Sequence, residues 1–507
     1  MGRWSALDTV VVGVYGALCL GVGAWLGRRQ GGATEYFLGR RALPWWAVLG
    51  SVVATETSTL TLLSVPGLAY GGDFGFLQLA LGYVIGRVVA AAWVLPLHFR
   101  GEAATAYGIL ERRFGLGVRR FASGLFLVTR VLGDGVRLFA TALPLALLTG
   151  WDVRGCVLAL GAATLLYTWH GGLRAVVWVD VLQFGVYLLG ALAALAVLGR
   201  ELPGGWGAAW SAGAAAGKLT VFHFSFALDR PYTLLAGLVG GAFLSVASHG
   251  TDQLIVQRLL ACRSLRDGQR ALVGSGVVVV LQFALFLVLG LGLWAFYQGR
   301  AFARTDEVFA TFLVQRMPTG LLGLVVAGML AAAMSTLSSS LNALASAIAY
   351  DFWAPWRGGD ERTLLRVGRA ATVGWAVLLV GGALLLGRGT TPVVELGLAI
   401  ASFTYGGLLG AFLLARWQPG AAGRVVRAAM LAGVGAMTLV AGGRWWAQVA
   451  AVLGWTGGAM VFGTLGRVAW PWHAALGAGV TVAVGWLLAW RPAGRVEATD
   501  VGMARRA

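Results

Sequence analysis

Residues 50–61 read GSVVATETSTLT, and Pro66-Gly67 follow. Six hydroxyls, the Glu56 carboxylate and two helix breakers thus fall in the middle of an apolar run that extends from about residue 44 to residue 70. Polar groups at lipid depth are costly, so such a cluster asks for a partner or a task. Two readings fit. A kinked helix would bond its hydroxyls back to its own backbone. A discontinuous helix would instead expose peptide carbonyls, which are ligands for a cation.

The rest of the chain sets that segment in a membrane. Hydrophobic residues make up 58% of the 507 and charged residues 12%, about half the charged share of a soluble protein. A spanning helix takes roughly 20 mostly apolar residues. Runs at 8–27, 44–70, 76–98, 120–148, 154–169, 176–198, 231–249, 271–297, 319–349, 369–386, 391–415, 427–442 and 470–490 predict thirteen helices, and a further stretch at 446–464 would be a fourteenth or a membrane-buried extension of its neighbour. The 77 glycines suit helices that pack closely in lipid. The expectation is an all-α polytopic membrane protein forming one domain over residues 1–507.

The net charge of +18 marks a membrane face and implies no nucleic-acid partner. Arginine-rich short loops stay in the cytoplasm. Arg28, Arg29, Arg40 and Arg41, then Arg100, Arg112, Arg113, Arg119 and Arg120, then Arg258, Arg263, Arg266 and Arg270, then Arg357, Arg362, Arg366 and Arg369 all fall on one side of the thirteen-helix arrangement, as do Arg505 and Arg506. The N-terminus is then outside, and the first apolar run is a retained helix rather than a cleaved signal. Cys19, Cys156 and Cys262 show no paired spacing. No HExxH, no nucleophile elbow and no clustered His or Cys ligands suggest an enzyme. The nearest phosphate loop, Gly213 to Lys218, is one residue short and lacks the magnesium-binding hydroxyl.

A second polar segment lies at 331–342, AAAMSTLSSSLN. At helical spacing Ala332, Ser335, Thr336 and Ser339 share one face. That face is either a small-residue packing seam or a row of hydroxyl ligands for a weakly held cation. On another helix, Arg130, Asp134 and Arg137 are spaced four and three apart. They form a self-neutralising triplet, or they leave one arginine with donors for a substrate carboxylate.

The stretch 332–351, AAMSTLSSSLNALASAIAYD, resembles the signature of the sodium:solute symporter family. FLGRR at 37–41, the run 54–67, HGGLRAVVWVDVLQ at 170–183 and GTDQLIVQR at 250–258 resemble it in the same order. That resemblance implies a leucine-transporter-like inverted repeat of five plus five helices. The helix at 8–27 would precede the first repeat at 44–198, and the second repeat at 231–415 would be followed by C-terminal helices at 427–490.

It also implies a sodium-coupled importer of a small organic solute in the cell inner (plasma) membrane, with Na⁺ and the solute as partners. Its Na⁺ site would use Ala54, Thr57, Ala332, Ser335 and Thr336. A possible second site would use Asp180, Ser335, Ser338 and Ser339, although Asp180 is equally read as a cap at a cytoplasmic helix end or a partner of Arg174. Glu56, Gln78, Arg130, Asp134, Arg137 and Gln253 are candidates for substrate contact or gating. Stretches 107–120 and 142–150 resemble the branch of monocarboxylate, vitamin and iodide carriers, which agrees with an anionic solute. The rivals are a proton-coupled carrier using Glu56 or Asp134, and a solute sensor that does not transport.

Overall fold

The computed structural model describes residues 4–27, 31–100, 104–385 and 393–489. Arg28, Arg29, Arg505 and Arg506 lie outside them. Helices α1 (Ala6–Gly27), α2 (Trp45–Glu56), α3 (Thr59–Gly71), α4 (Phe76–Phe99), α5 (Leu116–Thr149) and α6 (Val153–Glu201) make the first half. Then come α7 (Gly241–Gly250), α8 (Gln253–Leu260), α9 (Leu265–Phe296), α10 (Leu321–Arg357), α11 (Glu361–Leu385), α12 (Val393–Trp417), α13 (Gly423–Ala441) and α14 (Trp470–Ala489). Among the described residues eight helices are long and apolar enough to cross a bilayer, and the bent pair α2–α3 makes a ninth.

The run 44–70 is broken. α2 ends at Glu56, Thr57 and Ser58 are extended, and the axes of Trp45–Glu56 and Thr61–Gly71 diverge by 63°. The Ser58 N–H donates to Thr61 Oγ1 at 3.3 Å, which starts α3. α6 is 49 residues long, roughly 74 Å if straight and more than twice the hydrocarbon core. It divides at Gly172, where φ is +55° and the glycine lies against Tyr36. The arms on either side correspond to the runs at 154–169 and 176–198.

Two features depart from the sequence reading. A second break falls at Thr251-Asp252, between α7 and α8, where Asp252 caps α8 by accepting from the Leu254 N–H at 2.9 Å. The stretch 446–464 is no single helix. It lies in two ten-residue helices, Gly443–Val452 and Thr456–Leu465, packed on each other, and each is about 15 Å long, half the hydrocarbon core. A short helix, Gly205–Ala215, follows α6.

Packing follows the small residues. Gly82 and Gly86 of α4 face Gly237 and Gly241, each pair four apart, and a Cβ at Gly82 or Gly86 would overlap the carbonyl of Gly237 or Ala242. Ser245 adds a bond to the Tyr83 carbonyl at 2.9 Å across the same seam. α10 is almost wholly buried and packs most extensively on α6. This places the 331–342 segment at the centre of the bundle.

Candidate functional site

A helix leaves its last carbonyls without intrahelical donors. The break after Glu56 therefore frees carbonyls on α2 inside the bundle, where α10 meets them. Ser335 Oγ donates to the Ala54 carbonyl at 2.8 Å, and Thr336 Oγ1 donates to the Thr55 carbonyl at 3.1 Å. Thr55 Oγ1 lies 2.9 Å from Ser339 Oγ, and Thr59 donates to the Met329 carbonyl at 2.7 Å. The two polar segments of the sequence are one buried contact.

Ala54, Thr57, Ala332 and Ser335 line a single cavity of about 10 Å³ together with Gln183, Phe184 and Tyr187 from the second arm of α6. That volume holds about one water-sized sphere. Gln183 donates through Nε2 to Tyr15 at 3.1 Å, while its Oε1 is buried without a hydrogen-bond partner. The cavity thus has an acceptor oxygen to spare. Thr336, one position along the helix, also lines a second cavity.

Asp180 lies beside this contact. It is fully buried in the second arm of α6, so it neither caps a helix end nor reaches Arg174. Its Oδ2 accepts from Ser51 at 2.6 Å and lies 3.5 Å from Arg258, while Oδ1 has no hydrogen-bond partner. Arg258 belongs to no loop, as it is fully buried and bonded also to Ser51 and Ser339. Ser338 Oγ turns back to the Ser335 carbonyl at 3.1 Å. The second candidate group therefore gathers around an aspartate already paired with a guanidinium.

The α5 charges are divided unequally. Arg130 is buried, 2.7 Å from Asp252 and 2.6 Å from the Tyr405 hydroxyl, which leaves Asp134 at 3.8 Å. Asp252 and Tyr405 escaped the sequence reading; the signal was a carboxylate following Gly250 in a segment otherwise read as a helix end. Arg137 is a quarter exposed, and its one ion pair among the described residues is with Asp134 at 3.6 Å. Both Asp134 oxygens lack hydrogen bonds. Ser58, Asp134, Arg137, Thr141, Ala333 and Thr336 line the second cavity, of about 20 Å³.

The remaining candidates lie elsewhere. Glu56 is bonded to the fully buried Arg87, 3.5 Å from His249, so it is matched in charge and lines neither cavity. Gln78 holds the segment around His223 and Tyr232. Its amide donates to the Gly75 and Tyr232 carbonyls at 3.2 Å and its oxygen accepts from the His223 N–H at 3.0 Å. Gln253 holds the opposite end, accepting from the Ala106 N–H at 2.7 Å and donating to Ser346 at 3.0 Å.

A model of the sodium:solute symporter family matches residues 36–415. The sodium/sialic acid symporter SiaT of Proteus mirabilis is 30% identical over 360 residues, 68% of this chain and 70% of that protein. The sodium-dependent multivitamin transporter of Oryctolagus cuniculus is 30% identical over 433 residues, 82% of this chain and 67% of that one. The sodium/iodide cotransporter of Homo sapiens is 30% identical over 428 residues, 80% and 66% of the respective chains. Among solved structures, a substrate-bound, outward-open sodium-coupled sialic acid symporter superposes with a TM-score of 0.82 at 24% identity, over 96% of this chain and 98% of its own. A closed nucleobase-cation-symport-1 family transporter gives 0.54 at 14% identity, over 89% and 92%. Both structural likenesses concern the fold.

Proposed function

This chain belongs to the sodium:solute symporter family, and on that premise we propose that Na⁺ binds where α2 breaks against α10 and an organic anion binds beside Arg137. The protein is a multi-pass, sodium-coupled transporter of a small solute and not an enzyme. The sodium site consists of the Ala54, Thr57 and Ala332 carbonyls with the Ser335 and Thr336 hydroxyls. The observation that carries it is the cavity of about 10 Å³ enclosed by Ala54, Thr57, Ala332 and Ser335, with the unpartnered Gln183 oxygen beside it. A desolvated monovalent cation suits such a space, and the hydroxyls need only rotate their hydrogens away to act as ligands.

The free oxygen of Asp180 supports a second ion station with Ser335, Ser338 and Ser339. An ion there competes with Arg258 for Asp180, which suits a transient stop on the exit path better than a tightly held site. Arg137 is the arginine with donors left over, which supports an anionic solute. The Arg137 cavity of about 20 Å³ is too small for an organic molecule, which fits a closed conformation in an alternating-access cycle. Gln78 and Gln253 act as outer and inner clasps that such a cycle must release.

The finer architecture belongs to the same proposal: a single domain, thirteen crossings with the N-terminus outside, and five-helix repeats at 44–198 and 231–415. The breaks at Thr57-Ser58 and Thr251-Asp252, one in the leading helix of each repeat, support it. The inward sodium gradient and the membrane potential, about 2.3 kcal/mol per charge per 100 mV, supply the work.

A proton-coupled carrier is the second reading, favoured by the lack of hydrogen bonds on Asp134. Uptake of labelled organic anions into proteoliposomes at fixed pH separates the two. Replacing sodium by choline abolishes uptake under the present proposal, and uptake that persists and follows an imposed proton gradient overturns it.

A further inference from the structure

A further cavity shares no lining residue with the ion and solute sites and lies where several arginine-bearing segments meet. It encloses about 340 Å³ between the end of α4, the short helix Gly108–Phe114 and the end of α12. Its walls are Leu97, Ile109 and Ala415 together with four arginines, Arg100, Arg112, Arg113 and Arg416. Among the described residues no carboxylate lines it. Among the described residues none of these four arginines forms an ion pair or a side-chain hydrogen bond. The nearest carboxylate in sequence, Glu111, is turned away to Arg119 at 2.5 Å. Four like charges around one cavity repel one another, and an anion brought between them is held by forked guanidinium donors.

The position of the cavity selects the kind of anion. Arg100 directly follows the last turn of α4, and Arg416 lies in the last turn of α12, so the guanidiniums sit at the depth where two apolar helices leave the bilayer. Trp93 and Trp417 pack against each other at 6.3 Å on the same two helices, with Trp417 half exposed, and tryptophans of this kind mark the headgroup level. The apolar wall suits glycerol and the first acyl carbons, and basic pockets between spanning helices on this kind of face take anionic headgroups.

We infer that the Arg100, Arg112, Arg113 and Arg416 cavity binds the headgroup of an anionic phospholipid, with a two-phosphate, cardiolipin-type headgroup matching four guanidiniums best. The bound lipid bridges α4, the Gly108–Phe114 helix and α12. A free phosphate or pyrophosphate has the same chemistry without the acyl chains.

The test uses the full-length protein in detergent, with thermal unfolding read after adding cardiolipin, phosphatidylglycerol, phosphatidylcholine or pyrophosphate. Cardiolipin is expected to raise Tm by several degrees, phosphatidylglycerol by less, and phosphatidylcholine and pyrophosphate by little. The double variant Arg112→Gln/Arg416→Gln should lose at least half of the cardiolipin shift, whereas Arg362→Gln, an exposed arginine of the same face, should keep it. Sodium-dependent uptake by the double variant in phosphatidylcholine vesicles establishes that it is folded. Equal shifts with cardiolipin and phosphatidylcholine, a wild-type response in the folded double variant, or a pyrophosphate shift matching that of cardiolipin would each overturn the inference.

Discussion

At the scale of single residues, the α2–α10 contact is made of hydroxyls whose role depends on where their protons point. With Ser335 and Thr336 donating to the Ala54 and Thr55 carbonyls, the contact closes on itself; with those protons turned outward, the same oxygens face a cation. Replacing either by alanine removes one oxygen of five. A bond to a charged group is worth about 1.5–3 kcal/mol, so Ser335→Ala or Thr336→Ala should raise the half-saturating sodium concentration of uptake roughly tenfold. Unchanged sodium dependence in both variants would remove the site from this contact. Arg137→Gln should raise the KM for an anionic solute roughly 10–100-fold while leaving sodium dependence within about twofold. Equal losses of both would mean that Arg137 only neutralises Asp134. The Glu56–Arg87 pair is of another kind, since Arg87 is fully buried. Breaking such a pair costs about 3–5 kcal/mol. Glu56→Gln should therefore lower the thermal midpoint and the folded yield, and the added change Arg87→Met should restore part of both. A Glu56→Gln protein of normal stability that had lost sodium coupling would instead make Glu56 a coupling residue.

At the scale of elements, helix breaks and glycine seams decide what can meet. The four-residue spacing of Gly82/Gly86 and Gly237/Gly241 lets α4 lie against the segment leading into α7 with backbone in contact. Gly82→Ala or Gly86→Ala should cost about 1–3 kcal/mol through overpacking, read as a lower thermal midpoint. Gly185→Ala, with nothing within 4 Å of an added Cβ, should be neutral or slightly stabilising; equal effects at all three would show that the seam is not tightly packed.

These elements also show what the sequence discloses. The break after Glu56 was legible because hydroxyls and a carboxylate interrupt an apolar run. The break at Thr251-Asp252 was not, since a single aspartate beside Gly250 also fits an ordinary helix end. Apolar periodicity located most helices, but it read 446–464 as one element because hydropathy does not register a turn at Gly454. Partners distant in sequence were beyond local reading. Nothing near Asp180 announces Ser51 or Arg258, nothing near Arg130 announces Asp252, and the spare oxygen of Gln183 exists only because Tyr15 takes its amide.

At the scale of the whole molecule, the C-terminal end of α3 is held by Tyr70, whose hydroxyl donates to the Arg300 carbonyl at 2.6 Å, and by one side chain from a distant segment. Lys218 directs its ammonium at the carbonyls of Tyr70 at 2.8 Å and Gly72 at 2.9 Å, over the ring of Trp294, a cation where a helix ends in unpaired oxygens. Desolvation depresses its pKa, with Asp73 pulling the other way, so at mildly alkaline pH more of it is the neutral, reactive amine than for a lysine in water. It is also the only lysine among the 507 residues. Lys218 is therefore the one side-chain amine open to an amine-directed reagent, and its peptide is told apart by mass from that of the terminal α-amino group, which also reacts. If α3 swings during transport, the acylation rate at Lys218 should differ several-fold between sodium and choline, and identical rates would mean that α3 and the 216–223 segment travel together. The chain thus carries one side-chain handle beside the end of α3, ready for a fluorophore.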